Sequence, residues 1–258
     1  MPHDMNQLTP SQLLGGYANG IFPMAAAADD PRLMWFDPPR RGVLPVGGVH
    51  AARSLVRDLR RGGWSADKAP DFDAVVGHCA NRPDTWINAP LRSLYAQLHA
   101  LGYAEALAVH RNGQLAGGIF GVTLAGAFFG ESMFSTQRSG SRMALLWLSD
   151  HLARCGFTLF DTQYLTPHLA SMGGTEIPRT AYRARLAAAL HVRADFHAAA
   201  LPTAAELAAA LRQPSGGSAA GSGSPSPSPS PPVPSVGGAP SPSGPAPSPP
   251  SGTAVSGS

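Results

Sequence analysis

Apolar and polar positions along the chain alternate with two periods. Ser11 to Asn19 has the spacing of a short helix, opened by Thr9 and Pro10 and stopped by Gly20. From His50, the residues Ala51, Leu55 and Leu59 recur at helical spacing while Arg53, Arg57, Arg60 and Arg61 supply a basic side, and Gly62-Gly63 ends the run. Asp71 to Ala80 and Asn88 to Leu101 read as two more helices, the second with Asn88 as N-cap, Pro90 in its first turn and Gly102 as its stop. Asp84-Thr85-Trp86-Ile87 between them reads as a turn carrying an exposed or pocket-lining Trp. The stretch from Ile21 to Pro45, dense in Pro and aromatic residues, has no clear period and predicts an irregular but packed lobe.

A strand-like pattern begins at Tyr103. Tyr103 to His110, the turn Arg111-Asn112-Gly113 and Gln114 to Thr123 predict a β-hairpin, because Asn-Gly supplies the positive φ that a tight turn needs. Another strand follows over Ala127 to Phe134. Ser139 to Cys155 then returns to helical spacing, with Ala144, Leu145, Leu148 and Leu152 on one face and Gly156 as its stop. Phe157 to Phe160 reads as a short buried strand that delivers Asp161-Thr162-Gln163 at its end, and Pro178 to Leu190 as a closing helix. This order predicts an α+β fold: a small N-terminal lobe over residues 1–48 and a mixed-sheet domain like that of the N-acetyltransferases (GNAT-like) over residues 49–212. Fold alone does not give function.

Composition changes the picture at the C-terminal end. From Gln213 to Ser258 the chain is dominated by Pro, Ser and Gly and carries no charged or aromatic side chain. Such a segment buries too little apolar surface to offset the entropy of ordering it, so residues 213–258 are expected to be a disordered tail. The N-terminus has neither a basic nor an apolar leader region, and no apolar stretch is long enough to span a membrane. A cytosolic protein with no membrane partner is expected. Cys79 and Cys155 are far apart and match no metal spacing, which predicts two reduced, buried thiols.

Glu131, Asp161 and Gln163 stand out as polar residues among apolar neighbours at strand ends. A carboxylate there must be hydrogen-bonded or functional, because an unpaired buried charge is costly. Both readings are open from the pattern alone. Gly130-Glu131-Ser132-Met133-Phe134 lacks the second Gly of a nucleophile elbow, which argues against a serine hydrolase. The nine His residues show no metal-binding pairing, so no metal is expected, and His168 reads as structural. In Gln137-Arg138-Ser139-Gly140-Ser141-Arg142, the Arg142 side chain would intrude where a pyrophosphate-binding loop needs a small residue. A phosphodiester partner suits that loop better, and it joins the basic helix as a candidate nucleic-acid surface, although the charge run taken alone reads as a solvated helix face.

Several segments together resemble the leucyl/phenylalanyl-tRNA-protein transferases. They are Tyr17-Ala18-Asn19-Gly20-Ile21-Phe22-Pro23-Met24, Trp35-Phe36-Asp37-Pro38 with Arg41-Gly42-Val43-Leu44-Pro45, Thr85-Trp86-Ile87, Gly117 to Val122, Gly130 to Ser135, Ser141 to Leu145, and Asp161-Thr162-Gln163 running on to Glu176-Ile177-Pro178-Arg179. They occur in family order over about Leu13 to Leu190. The short start, Met1 to Thr9, and the Pro/Ser tail depart from the family pattern.

The resemblance implies transfer of Leu or Phe, and less well Met, from Leu-tRNA or Phe-tRNA to the α-amino group of proteins beginning with Arg or Lys, marking them for degradation. It implies a monomer that uses no cofactor. It also implies that Gln163 hydrogen-bonds the attacking amine, that Asp161 orients and polarises Gln163, and that Glu131 positions the acceptor. Trp35 and Trp86 are expected at the 3′-terminal adenosine. Phe128, Met133, Phe134, Met143 and Ile177 are expected to line the aminoacyl pocket, and Arg53, Arg57 and Arg142 to hold tRNA phosphates. Two other readings stay open: an acyl-CoA-dependent N-acyltransferase, and a non-catalytic module that binds tRNA or protein N-termini.

Overall fold

The computed structural model describes residues 8–83 and 85–211. The expected tail at 213–258 and residue Asp84 of the expected turn lie outside the described residues.

Helix α1 (Pro10–Ala18) starts on a capping box between Thr9 and Gln12. The next stretch is not irregular: it holds β1 (Phe22–Ala25), β2 (Leu33–Phe36) and β3 (Arg40–Leu44). The first two pair only with each other, in antiparallel register with Pro23 opposite Trp35. They are too short and too rich in Pro and aromatics to show a period of two. Helix α2 (Arg53–Arg60) and strand β4 (Trp64–Asp67) follow, then α3 (Phe72–Ala80), capped by Asp71, and α4 (Ala89–Ala100), capped by Asn88.

Strands β5 (Ala104–Arg111) and β6 (Gln114–Leu124) form the expected hairpin, with Asn112 at φ 51° and Gly113 at φ 76° making the two-residue turn. Strand β7 (Ala127–Ser135) and helix α5 (Gly140–Arg154) also fall where the pattern placed them. The following strand does not stop at Phe160. As β8 (Leu159–Gln163) it carries Asp161, Thr162 and Gln163 within the strand, because β7 pairs with it on one side and β3 on the other. Helix α6 (Pro167–Ser171), strand β9 (Thr175–Pro178), helix α7 (Arg179–Ala189) and helix α8 (Ala204–Ala210) complete the described chain.

Among the described residues, seven strands form one mixed sheet in the order β4-β5-β6-β7-β8-β3-β9, and β1 and β2 form a separate small sheet. The one parallel pair described in the large sheet is β7 with β8. Strand β3, from the first 48 residues, lies within the large sheet. Alternate residues of the central strands face opposite sides. Ala106, Ala108 and Phe129 join a core with α1, α3, α4 and α7, whereas Leu107, Val109 and Phe128 join a second core with α2, α5 and α8. Helix α5 sits close on β6: a methyl added at Gly140 would run into the Ala116 carbonyl. Cys79 and Cys155 are free and buried, as expected. Among the described residues, no helix is long and apolar enough to cross a membrane.

Candidate active site

Two irregularities in the sheet make the site. Along β7, Gly130 pairs with Gly121 and Ser132 with Phe120, so Glu131 is an extra residue, a β-bulge. Along β8, Asp161 pairs with Val43 and Gln163 with Gly42, which leaves Thr162 as a second bulge. A bulge re-aims the side chains around it. The β7 bulge also reverses the in-out alternation, which is why Phe128 and Phe134, six residues apart, lie in opposite cores.

Just beyond the β8 bulge the chain turns sharply. The Tyr164 N–H donates to the Thr162 carbonyl at 2.6 Å, closing a three-residue γ-turn with Gln163 at its centre and φ 56°. A non-glycine residue at positive φ carries a conformational cost that its surroundings must outweigh. Gly42 lets the turn come close, since a methyl there would lie 2.7 Å from the Tyr164 backbone carbon. Oriented so that its amide nitrogen meets acceptors, the Gln163 side chain donates to the Gly130 carbonyl at 2.9 Å and the Thr162 carbonyl at 3.2 Å.

Asp161 is fully buried and accepts from three groups. Arg41 reaches it through Nε (2.9 Å to Oδ1) and Nη2 (2.6 Å to Oδ2), Tyr182 donates its hydroxyl to Oδ2 at 2.7 Å, and the Gln163 backbone N–H donates to Oδ1 at 2.8 Å. Asp161 thus meets Gln163 through the backbone of the turn rather than through its side-chain amide. Arg41, itself buried, lies between the rings of Phe22 and Tyr182, each centroid 4.5 Å away, and its Nη1 donates to the Gly20 carbonyl at 3.0 Å. Burial alone would disfavour its charge. The adjacent Asp161 carboxylate outweighs that and leaves the guanidinium more basic than usual. Burial, reinforced by Asp161, raises the Tyr182 phenol, so it stays protonated as a donor.

Glu131 is held by two buried phenols, Tyr17 donating to Oε1 at 2.8 Å and Tyr95 to Oε2 at 2.7 Å. Burial pushes its pKa up to about 7, helped by the Asp161 charge and opposed by the Tyr95 and Tyr17 hydrogen bonds and by Arg41. A strongly shifted carboxylate in a cleft marks a candidate site.

Glu131 and Gln163 open onto a cavity of about 200 Å³. Its buried apolar wall is Ile119, Leu145, Phe160 and Leu169, with Met133 half-buried beside them. Phe22, Met24, Trp86 and Tyr164 line it as well. Of the two indoles expected at an adenosine, only Trp86 borders the cavity. Trp35 packs on α1, where a side chain at Gly16 would collide with its ring. Of the five residues expected in the aminoacyl pocket, only Met133 lines it. Phe128 stands edge-on to Phe160 and Phe157, Phe134 stacks on His78, Met143 is fully buried in the core, and Ile177 is half-buried on β9.

A second cavity, of about 420 Å³, is lined by Arg57, Arg61, Arg111, Arg138 and Arg142 among others, with Asp58 as its carboxylate. Arg111 is committed to Asp58 at 3.0 Å and lies over the Trp64 ring. Arg57 and Arg142 come together here, whereas Arg53 is exposed outside this lining. Helices α5 and α6 serve both cavities: Leu145 and Leu169 border the first, Arg142 and Ser171 the second. His168, on α6, keeps its Nε2 buried without a hydrogen-bond partner among the described residues, and burial lowers its pKa.

A cavity with one apolar wall, a positioned amide and a tunable carboxylate suits the transfer of an acyl group to an amine, and comparison with known proteins places the chain among the aminoacyltransferases. The model of the leucyl/phenylalanyl-tRNA protein transferases matches residues 43–187, and that of their N-terminal domain matches residues 6–39. The chain is 55% identical over 208 residues to the leucyl/phenylalanyl-tRNA–protein transferase of Paracoccus denitrificans, covering 81% of this chain and 98% of that protein. It is 53% identical over 207 residues to the enzyme of the same name from Dinoroseobacter shibae, covering 78% and 93%, and 53% identical over 191 residues to that of Ruegeria pomeroyi, covering 74% and 91%. The chain belongs to the leucyl/phenylalanyl-tRNA–protein transferase family.

Proposed function

We propose that this protein moves Leu or Phe, and less well Met, from the 3′ end of its tRNA to the α-amino group of proteins beginning with Arg or Lys, acting as a monomer in the cytoplasm and marking those proteins for degradation. The observation that carries this reading is the adjacency, in one cavity, of an apolar wall with Gln163 and Glu131. An apolar side chain of the aminoacyl group fits against Ile119, Met133, Leu145, Phe160 and Leu169. A wall of aliphatic, aromatic and thioether groups admits Leu, Phe and Met with limited preference among them, because one methylene discriminates by only about 1 to 3 kcal/mol.

The aminoacyl ester is already activated, so the chemistry needs positioning and the management of one proton. The acceptor amine attacks the ester carbonyl, the new C–N bond forms, the C–O bond breaks, and the amine proton passes to the leaving ribose oxygen. With the Gln163 amide N–H groups engaged by Gly130 and Thr162, its Oε1 is left to accept from the incoming amine. Glu131, ionised above about pH 7, faces the positive acceptor terminus. Trp86 offers a flat surface for the terminal adenosine, worth about 1 to 3 kcal/mol. Arg57 and Arg142, with Arg61 and Arg138 beside them, meet phosphates in the second cavity, an electrostatic contact that carries no base specificity.

The test is transfer of labelled Leu from Leu-tRNA to two peptides, one beginning with Arg and one with Asp, by the wild type and by Gln163→Ala. Gln163 is chosen over Asp161 because removing one partner of a buried ion pair costs about 3 to 5 kcal/mol and confounds turnover with folding. Label on the Arg peptide alone, strongly reduced in the variant, is expected. Label on neither peptide while Leu-tRNA still binds would make the protein a binding module.

A further inference from the structure

We infer that Arg41 and Tyr182 are positioning residues for transfer, acting through the Asp161 carboxylate to hold the Gln163 turn in its strained conformation. This rests on the reading of Gln163 above and adds what keeps Gln163 in place. Three observations carry it. Gln163 sits at φ 56° in a γ-turn, a conformation that persists only when its surroundings impose it. A side-chain hydrogen bond from outside the turn reaches the Gln163 backbone, its N–H donating to Asp161 Oδ1 at 2.8 Å beside the pairing of Gln163 with Gly42 of β3. That carboxylate is in turn fixed by two Arg41 nitrogens and the Tyr182 hydroxyl.

Arg41 is unusually well suited to act as a strut. The guanidinium is planar, holds both carboxylate oxygens, and is sandwiched between Phe22 and Tyr182 with a third anchor at the Gly20 carbonyl. Phe22 also lines the cavity, so the strut ties the β1 end of the small sheet to the strand that carries Gln163. The carboxylate already accepts from Arg41, Tyr182 and Gln163, so Asp161 serves as a fixed acceptor that sets backbone geometry.

Tyr182→Phe removes one hydrogen bond and keeps the ring on Arg41, and Arg41→Lys keeps the charge and loses the paired contact. Both are compared with wild type for Leu transfer to the Arg peptide, well below their melting temperatures. The expected result is a fall in kcat of about tenfold for Tyr182→Phe, the scale of one hydrogen bond to a charged group, and a larger fall for Arg41→Lys. KM for Leu-tRNA and for the peptide should stay within about twofold, because neither residue lines the cavity. In a Gln163→Ala background, Tyr182→Phe should cause little further loss, since residues that act through one another are not additive. Tyr182→Phe lowering melting temperature with kcat unchanged, or its losses multiplying in the Gln163→Ala background, would overturn the inference. A wild type that transfers nothing would instead remove the reading on which it rests.

Discussion

Glu131 gives a stability prediction that isolates one side chain. Its pKa is pushed from the ordinary 4.5 to about 7 in the folded protein, whereas in the unfolded chain it returns to the ordinary value. Because the folded pKa is the higher one, the folded state holds this proton more tightly. The resulting stability is fully present below about pH 4.5 and is lost as pH rises through about 7. Each pKa unit is worth about 1.4 kcal/mol, so between about pH 5 and about pH 8 the Glu131 contribution falls by about 2.5 kcal/mol. Glu131→Gln removes the titration and keeps the shape, and the Tyr17 and Tyr95 hydroxyls can rotate to accept from the amide. Urea denaturation of both proteins at the two pH values reads the effect. Relative to wild type, Glu131→Gln should gain about 2.5 kcal/mol on going from the lower to the higher pH. Other titrating groups are common to both proteins and cancel in that comparison. A difference between the two proteins that stays level with pH, or that moves the other way, would refute the account of Glu131 as a buried carboxylate.

Other predictions concern the cavities and the core. Met133→Ala should change the ratio of Leu to Phe transferred while leaving the fold intact. Met143→Ala should leave that ratio unchanged and cost about 2 to 5 kcal/mol in a denaturation experiment, since Met143, on α5, is fully buried in the core. Gly140→Ala should lower the melting temperature sharply, because the added methyl meets the Ala116 carbonyl and backbone moves less readily than a side chain. Arg57→Ala and Arg142→Ala should each weaken tRNA binding and reduce the slope of log affinity against log salt by about 1, as measured by filter binding across a salt series.

What the sequence revealed, and what it hid, follows from the range of the interactions involved. The β5-β6 hairpin and α5 were legible because their determinants are local: Asn112-Gly113 fixes a turn, and the apolar stripe of α5 repeats every turn of helix. Glu131, Asp161 and Gln163 were legible as polar residues in apolar strands. Arg41 and Tyr182 were not, because Arg41 lies 120 residues from Asp161 and Tyr182 lies 21 beyond it, spacings that carry no periodic signal. Of the two adjacent arginines of β3, Arg40 is exposed and Arg41 is 1% exposed, a difference that their shared residue type hides. The lining of the first cavity was hidden for a similar reason. Alternation along β7 puts Phe128 and Phe134 on one face, and the bulge at Glu131 reverses that parity between them. Trp35 and Trp86 are both half-buried indoles, and only the packing of Trp35 over α1 separates them.

The insertion of β3 between β8 and β9 also bears on how the protein is made. The hydrogen-bonded centre behind the Gln163 turn needs Arg41 from near the start of the chain, Asp161 from the middle of β8 and Tyr182 from α7. During synthesis, a chain that has reached the end of α5 holds Arg41 with no carboxylate to receive it and β3 with neither of its neighbouring strands. The centre can close only after α7 has left the ribosome, and closing so long a loop is slow compared with forming the β5-β6 hairpin. Partly synthesised chains should therefore be inert, and recovery of activity in refolding should lag behind the recovery of helical signal.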